Sequence, residues 1–144
     1  MVLRDLLRRK GSSVVCVRPD ASVAELLDLL AEHGIGAVVV SADGAAVDGI
    51  VSERDVVRAL RTGGAALLQS PVSAVMTSDV AVAAPADPLE DLMRLMTERR
   101  IRHVPVVADG RLCGIISIGD VVKSRIDELE ADREHLIGYI RSAG

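Results

Sequence analysis

Aromatic residues are almost missing from this chain of 144 residues: there is no Phe, no Trp and a single Tyr, Tyr139. A planar ligand therefore finds no ring to stack on and must be gripped by aliphatic side chains and backbone. Cysteine is scarce too, with Cys16 and Cys113 alone, which excludes the disulfide framework of a small secreted domain. Both lie in apolar, strand-like stretches and read as free, buried thiols. There is no block of Lys and Arg, and the net charge is −4; nucleic acid, which needs a concentrated cationic surface, is excluded on that ground. No apolar run reaches the roughly 20 residues of a membrane span. The opening MVLRDLLRRK is too charged, and its apolar part too short, for a secretory signal. The expectation is a cytoplasmic protein with no membrane partner.

What the chain does have is aliphatic bulk, with 49% hydrophobic and 26% charged residues, the composition of a globular domain large enough for a core. It also has one pattern written twice. Segment 14–57 matches segment 80–122: Pro19 with Pro85, Leu26 with Leu92, Glu32 with Glu98, Ile35 with Ile101, and Asp43-Gly44 with Asp109-Gly110. One extra residue, Asp48, enters the first copy, after which Gly49, Ser52 and Asp55 match Gly114, Ser117 and Asp120. A repeat of this length is a supersecondary unit whose apolar face needs a partner. Two such faces packed together leave a cleft on a pseudo-twofold axis.

Turn and cap signals predict β-α-β-β-α for each copy, after a short amphipathic helix over 3–9 that Gly11 ends. Strand 14–17 stops at Pro19. Ser22 with Glu25 forms a capping box for a helix to about His33, with Val23, Leu26, Leu27 and Leu30 inward and Gly34 as its stop. Strands 37–40 and 47–51 flank the Asp43-Gly44 turn, and a helix runs from Ser52 to about Leu60. Residues 61–70 connect the copies, and 71–76 form a helical turn leading into the second. There the order is strand 80–83, helix 87–99, strands 103–107 and 112–116, and a helix from 118. The expected division is a lead-in (1–12), repeat one (13–62), a linker (63–77), repeat two (78–125) and a helical extension (126–144). The last helix, followed over 118–142, keeps Val122, Ile126, Leu129, Leu136, Ile137 and Ile140 apolar on a charged background. It reads as a homodimer contact, or else as an amphipathic helix folding back on its own domain.

The motif with chemistry in it is Gly-Ile-Val-Ser-Glu-Arg-Asp (49–55), echoed by Gly-Ile-Ile-Ser-Ile-Gly-Asp (114–120). Ser-x-x-Asp ahead of an apolar run is a helix cap and needs no ligand. Yet a helix start also offers N–H groups and a positive dipole end to an anion, the hydroxyl adds a donor, and the carboxylate accepts from the vicinal hydroxyls of a ribose. Together these suit a nucleotide.

On these residues, with Val-Met-Thr (75–77) and Ile-Arg-His-Val-Pro-Val-Val (101–107), the chain resembles a cystathionine-β-synthase (CBS) domain pair, or Bateman module, over residues 12–125. The resemblance implies an α/β fold of tandem β-α-β-β-α repeats in pseudo-twofold packing, with a long C-terminal helix. It implies adenosine sites between the copies for AMP, ADP, ATP, NAD or S-adenosylmethionine, with Asp on ribose and Ser on phosphate, and pairing of two modules into a flat dimer. Carried over, Ser52 and Asp55 serve one site and Ser117 and Asp120 the other. The first-strand position, often Thr in the family, is Cys16 in copy one and Val82 in copy two; both lose a hydroxyl, so adenine is expected to rest on backbone and aliphatic packing, and Ile35 joins these contacts. Arg102-His103 resembles the basic pair that holds phosphates in the AMP-activated kinase's regulatory subunit, whereas copy one has Gly36-Ala37. Arg54, where copy two has Gly119, is expected to join Arg102 and His103 on one phosphate. Arg58, Lys123 and Arg99-Arg100 read as solvated surface, and His33 and His135 have no partners at metal-ligand spacing. The expected function is a regulatory adenine-nucleotide sensor, dimeric, acting on a protein target that the sequence does not name. The alternatives are a purely structural dimerisation module with degenerate sites, or a nucleotide-processing enzyme, for which no nucleophile motif, metal cluster or Gly-rich phosphate loop is visible.

Overall fold

A computed structural model describes residues 1–11 and 13–143; Ser12 and Gly144, the last residues of the expected lead-in and extension, lie outside them. In chain order the elements are α1 (Leu3–Lys10), β1 (Cys16–Val17), α2 (Val23–His33), β2 (Ala37–Val40), β3 (Gly49–Ser52), α3 (Glu53–Gly63), two short 3-10 turns (Gly64–Gln69, Val72–Ala74), α4 (Leu89–Arg99), β4 (His103–Ala108), β5 (Arg111–Ser117) and α5 (Ile118–Ala143). Local chemistry places most of them. The Ser22 hydroxyl accepts from the Glu25 N–H at 3.1 Å while the Ser22 N–H donates to Glu25 Oε2 at 3.2 Å, so α2 starts on the reciprocal capping box. It ends at Gly34, where φ is 60° and a side chain is penalised. Val23, Leu26 and Leu30 are buried, and Leu27 packs half-buried beside them.

β1 runs parallel to β2, with Cys16 opposite Val39, and β2 antiparallel to β3, from Ala37 opposite Ser52 to Val40 opposite Gly49. β4 and β5 form the second sheet, with His103 opposite Ser117. The strand expected over 80–83 is reduced to one parallel bridge, Ala83 to Val106. There the Ala83 N–H donates to the Pro105 carbonyl at 3.0 Å and the Val107 N–H to the Ala83 carbonyl at 2.8 Å. Small alanines at 81, 83 and 84 supply little cross-strand packing, and Val82 points outward, 48% exposed. The return strand expected from Val47 begins at Gly49, because the extra residue of copy one is absorbed in the loop. Asp43 Oδ1 accepts from the Ala45 and Ala46 N–H groups, both at 2.9 Å, and Asp48 Oδ2 accepts from the Ala42 N–H at 2.8 Å. Asp109 and Gly110, both at positive φ, make the tight second hairpin.

The lead-ins decide how the repeats hold together. The turn at 71–76, in the linker that leads into copy two, packs on copy one. Leu67 and Val72 lie in the first core with Val23, Leu26 and Val51, and Ser22 bridges Pro71. Conversely α1, first in the chain, lies on copy two: Leu3, Leu6 and Leu7 join Leu92, Val104 and Ile116, and Val2 bridges Pro88. Each repeat therefore borrows the segment that precedes the other. This crossing explains the motif glycines: a Cβ on Gly49 would stand 2.7 Å from Met76 Sδ and 2.9 Å from the Thr77 carbonyl oxygen, and one on Gly114 would stand 2.6 Å from Leu7 Cδ2.

α5 runs for 26 residues, about 39 Å at 1.5 Å per residue. Only Val121 and Ser124 are buried. Val122, Ile126, Leu129, Leu136, Ile137 and Ile140 are all exposed, so the fold-back alternative does not hold. Among the described residues, no helix is long and apolar enough to cross a membrane.

Candidate functional site

β3 and β5 end side by side at the start of α3 and α5, and a cleft of about 840 Å³ opens over these ends. Copy one supplies Gly36, Ala37, Ile50, Ser52, Glu53, Arg54, Asp55 and Arg58; the end of the linker supplies Thr77; copy two supplies Asp79, Val80 and Ala81 from its lead-in, Arg99 to His103, and Ser117 to Gly119. Of the sequence candidates, Ser52, Arg54, Asp55, Arg102, His103 and Ser117 line this one cleft. Ile35, Cys16, Val82 and Asp120 do not. Cys16 lines a separate shallow pocket with Arg18, Asp20 and Glu25, Ile35 packs against the first core, and Val82 faces outward. The reason is the crossing of the lead-ins: the segment beside Asp55 is Thr77–Ala81, where the linker enters copy two, and the apolar contact beside it is Ile101, the counterpart of Ile35.

The Ser-x-x-Asp element is a helix cap here, and more. The Ser52 N–H donates to Asp55 Oδ2 at 2.9 Å and the Ser52 hydroxyl donates to the same oxygen at 3.1 Å. The Asp55 N–H returns to Ser52 Oγ at 3.4 Å. Asp55 Oδ1 meets only the Thr77 hydroxyl among the described residues, at 3.4 Å; it keeps acceptor capacity toward the cleft. In the first turn of α3 the Glu53 N–H is taken by the Gly36 carbonyl at 2.9 Å. The Arg54 N–H, which has no partner within the helix, is left for a ligand or water.

Positive charge collects in the same cleft. Arg54, Arg58, Arg99, Arg100 and Arg102 face Glu53, Asp55 and Asp79 as the acids of the lining. The ion pairs among the described residues use Lys10, Arg18 and Arg125, and none of the cleft arginines. Arg58 and Arg99-Arg100, read from sequence as solvated surface, are exposed, and they also lie along the edge of this cleft. Arg100 ends α4 in the left-handed region, with φ of 54°, and that reversal swings 99–103 across the mouth. Sequence periodicity held no signal for it. Ile50, Val80, Ala81, Ile101 and Ile118 supply the aliphatic lining, the only kind of wall a chain so poor in aromatics can build.

The second motif is arranged alike but filled differently. The Ser117 N–H and hydroxyl donate to Asp120 Oδ2 at 2.8 and 2.9 Å, and Lys10 Nζ donates to that same oxygen and to the Ile115 carbonyl, each at 2.5 Å. Burial acts to raise the Asp120 carboxyl, but the hydrogen bonds from Lys10 and Ser117 and the Lys10 charge outweigh it and hold it below its ordinary value. His103 lies between the two motifs. Burial pushes it below its usual 6.5, with Lys10 and Arg102 adding to that and Asp120 and Glu53 opposing, so at neutral pH it is an uncharged imidazole.

A protein-family model described as "CBS domain" matches residues 3–62 and 72–127. The chain is 31% identical to the mitochondrial CBS domain-containing protein CBSX3 of Arabidopsis thaliana, over 96% of this chain and 71% of that protein. It superposes on the crystal structure of the CBS-domain containing protein ATU1752 from Agrobacterium tumefaciens with a TM-score of 0.83 and 52% identity, over 87% of this chain and 99% of the other. The CBS domain pair of protein MJ0100, crystallised with 5′-methylthioadenosine and S-adenosyl-L-methionine, shares the fold with a TM-score of 0.77 at 22% identity, over 89% and 98% of the two chains.

Proposed function

The chain belongs to the CBS-domain family, and on that premise we propose that it is a non-catalytic regulatory module that binds an adenine nucleotide in the cleft at Asp55. The observation that carries this is the concentration of five arginines and His103 around the Ser52–Asp55 helix start, Arg54 and Arg58 on that helix and Arg99, Arg100, Arg102 and His103 from copy two, in a protein whose net charge is negative. Asp55 Oδ1 accepts from the ribose hydroxyls. The Arg54 N–H and the α3 dipole meet the phosphate, with the Ser52 hydroxyl turning from Asp55 to donate as well. Arg102 and Arg54 make the charge-assisted bonds, and Arg58, Arg99 and Arg100 extend the cationic track for a longer phosphate chain. Val80, Ala81 and Ile101 hold the base. Adenosine-type ligands in MJ0100, a chain of the same fold, support the nucleoside half; the arginines support the phosphate half, and rank ATP and ADP over AMP, with NAD as the bulkier alternative.

Signalling follows from differential affinity: a nucleotide that binds one arrangement of the cleft more tightly shifts the module toward it. The exposed stripe Val122, Ile126, Leu129, Leu136 and Ile140 recurs every three to four residues except at Arg133, and exposed Val57 on α3 is the repeat partner of Val122. These surfaces are assigned to a homodimer, through which the change reaches a protein target.

A thermal-shift panel of adenosine, AMP, ADP, ATP, NAD and S-adenosylmethionine tests the proposal. Ligand at 100 times its dissociation constant adds about 2.7 kcal/mol, or a rise of about 5–11 °C for a chain of this size. No movement with any of them leaves a structural dimerisation module and overturns the nucleotide reading. Consumption of nucleotide on incubation overturns the non-catalytic part.

A further inference from the structure

The two Ser-x-x-Asp motifs are alike in backbone and cap and both reach the cleft, yet only the first brings its aspartate to the lining: Asp55 is there and Asp120 is not. At the other, the chain's own ammonium group sits on the carboxylate: Lys10 Nζ lies 2.5 Å from Asp120 Oδ2 and 2.5 Å from the Ile115 carbonyl. Its position follows from the crossing of the lead-ins, because α1 packs over β5 and ends beside Asp120. We infer that Lys10 is a built-in occupant of the second site, so that each chain takes one nucleotide, at Asp55.

A second observation points the same way. The positions that bring cations to the Asp55 cleft are Arg102, His103 and Arg54; their repeat partners are Gly36, Ala37 and Gly119. The Asp120 half-site therefore has Lys10 against its carboxylate and no cation at Gly36, Ala37 or Gly119; the cations beside it, Arg102 and His103, already belong to the Asp55 cleft, with the Ile118 N–H donating to the Arg102 carbonyl at 2.8 Å and His103 opposite Ser117. Lys10 bonds Asp120 Oδ2, the oxygen that also caps Ser117, so a ribose approaching Oδ1 meets the ammonium group against the same carboxylate, and withdrawing the lysine uncovers a half-buried carboxylate whose ionised form Lys10 helps to hold. A nucleotide gains nothing there to offset that loss. The half-site with Lys10 removed accepts an uncharged nucleoside and discriminates against a polyphosphate.

The inference rests on the nucleotide reading above, and stoichiometry separates the two. Calorimetric titration of the full chain with ATP and with adenosine is the measurement. The native chain is expected to take one of either per protomer. Lys10→Met, which keeps the apolar stem and removes the charge, is expected to take two adenosines per protomer, the new one tightened by about tenfold or more, the scale of a lost charge-assisted bond, while ATP stays at one. Lys10→Met with Asp120→Ala returns adenosine to one. Lys10 is 31% exposed in its side chain, so folding is expected to survive; Lys10→Gln repeats the test with a neutral hydrogen-bonding side chain should the methionine variant misfold. Two equivalent sites in the native chain, or one adenosine still in both lysine variants, overturns the inference and leaves the Asp55 site standing. No uptake of any nucleotide by any form sinks the nucleotide reading and this inference with it.

Discussion

Gly49 carries a prediction that separates fold from ligand chemistry. It opens the Gly-Ile-Val-Ser-Glu-Arg-Asp motif, and its requirement is steric, not ligand-driven. Its φ is not in the left-handed region, so by backbone preference alone Ala would be better in a strand by about 0.5–1 kcal/mol. Against that, the new Cβ meets Met76 Sδ at 2.7 Å and the Thr77 carbonyl oxygen at 2.9 Å. The thioether can swing aside. The carbonyl cannot move alone, because Thr77 and Ile50 exchange two backbone hydrogen bonds of 2.9 and 2.8 Å. Losing both costs about 1–3 kcal/mol at 0.5–1.5 each, in the range of overpacking generally. The net for Gly49→Ala is a loss of about 1–2 kcal/mol, or a fall of about 2–8 °C in melting temperature, read by calorimetry or urea titration. Nucleotide affinity falls with it, because the displaced strand carries Thr77 away from Asp55. Gly119→Ala is the control: its Cβ meets only Ser117 Oγ, at an ordinary 3.6 Å, and it sits in the first turn of a helix, so stability holds or rises. Gly114→Ala falls between them, since the obstacle is a Leu7 methyl. A Gly49→Ala protein melting at or above the native temperature would refute the crossing of the lead-ins as the reason for this glycine.

Arg102→Ala is expected to lower affinity for AMP far more than for adenosine; equal losses by calorimetry would remove Arg102 from the phosphate. Asp55→Ala removes both a cap residue and the ribose acceptor, so it costs about 0.5–2 kcal/mol of stability and weakens adenosine binding beyond what the native fraction explains; affinity unchanged in still-folded protein means Asp55 is a cap only. His103 has a folded pKa depressed below 6.5, so the unfolded chain binds more protons in the window below 6.5. Its contribution is complete above 6.5 and is lost as pH falls toward the folded value. Urea titrations from pH 7.5 to 5 should show that decline, and His103→Gln should flatten it. A phosphate beside His103 favours the imidazolium, so ATP binding should take up protons and tighten as pH falls toward 6; proton release in two buffers of different ionisation heat would contradict this. Leu129→Glu in the α5 stripe is expected to give monomers by light scattering with the nucleotide cleft intact.

The repeat, the caps and the turns were written in local sequence. Ser22 with Glu25, Ser52 with Asp55, Gly34 and Asp109-Gly110 each act within a few residues, and the structure places them as their spacing requires. Where local chemistry is weak, tertiary context took over: the alanine-rich 80–83 kept one bridge, and Asp48 became a loop clamp. The site divided along the same line. Ser52, Asp55, Arg54, Arg102 and His103 carry their chemistry in motifs, and the cleft gathers them. Arg58, Arg99 and Arg100 carry none that sequence can show, because a helix-end arginine looks the same whether it faces water or a crevice.

Sequence by itself determined that there are two repeated units, and where the helices opened by Ser22, Ser52 and Ser117 start and which oxygens cap them, since those interactions span three or four residues. Only the tertiary structure decided that each unit wears the other's lead-in. That exchange is a matter of which apolar face finds which core, a long-range packing choice with no local signature. It set Thr77 beside one aspartate and Lys10 upon the other, and so gave two nearly identical motifs different neighbours.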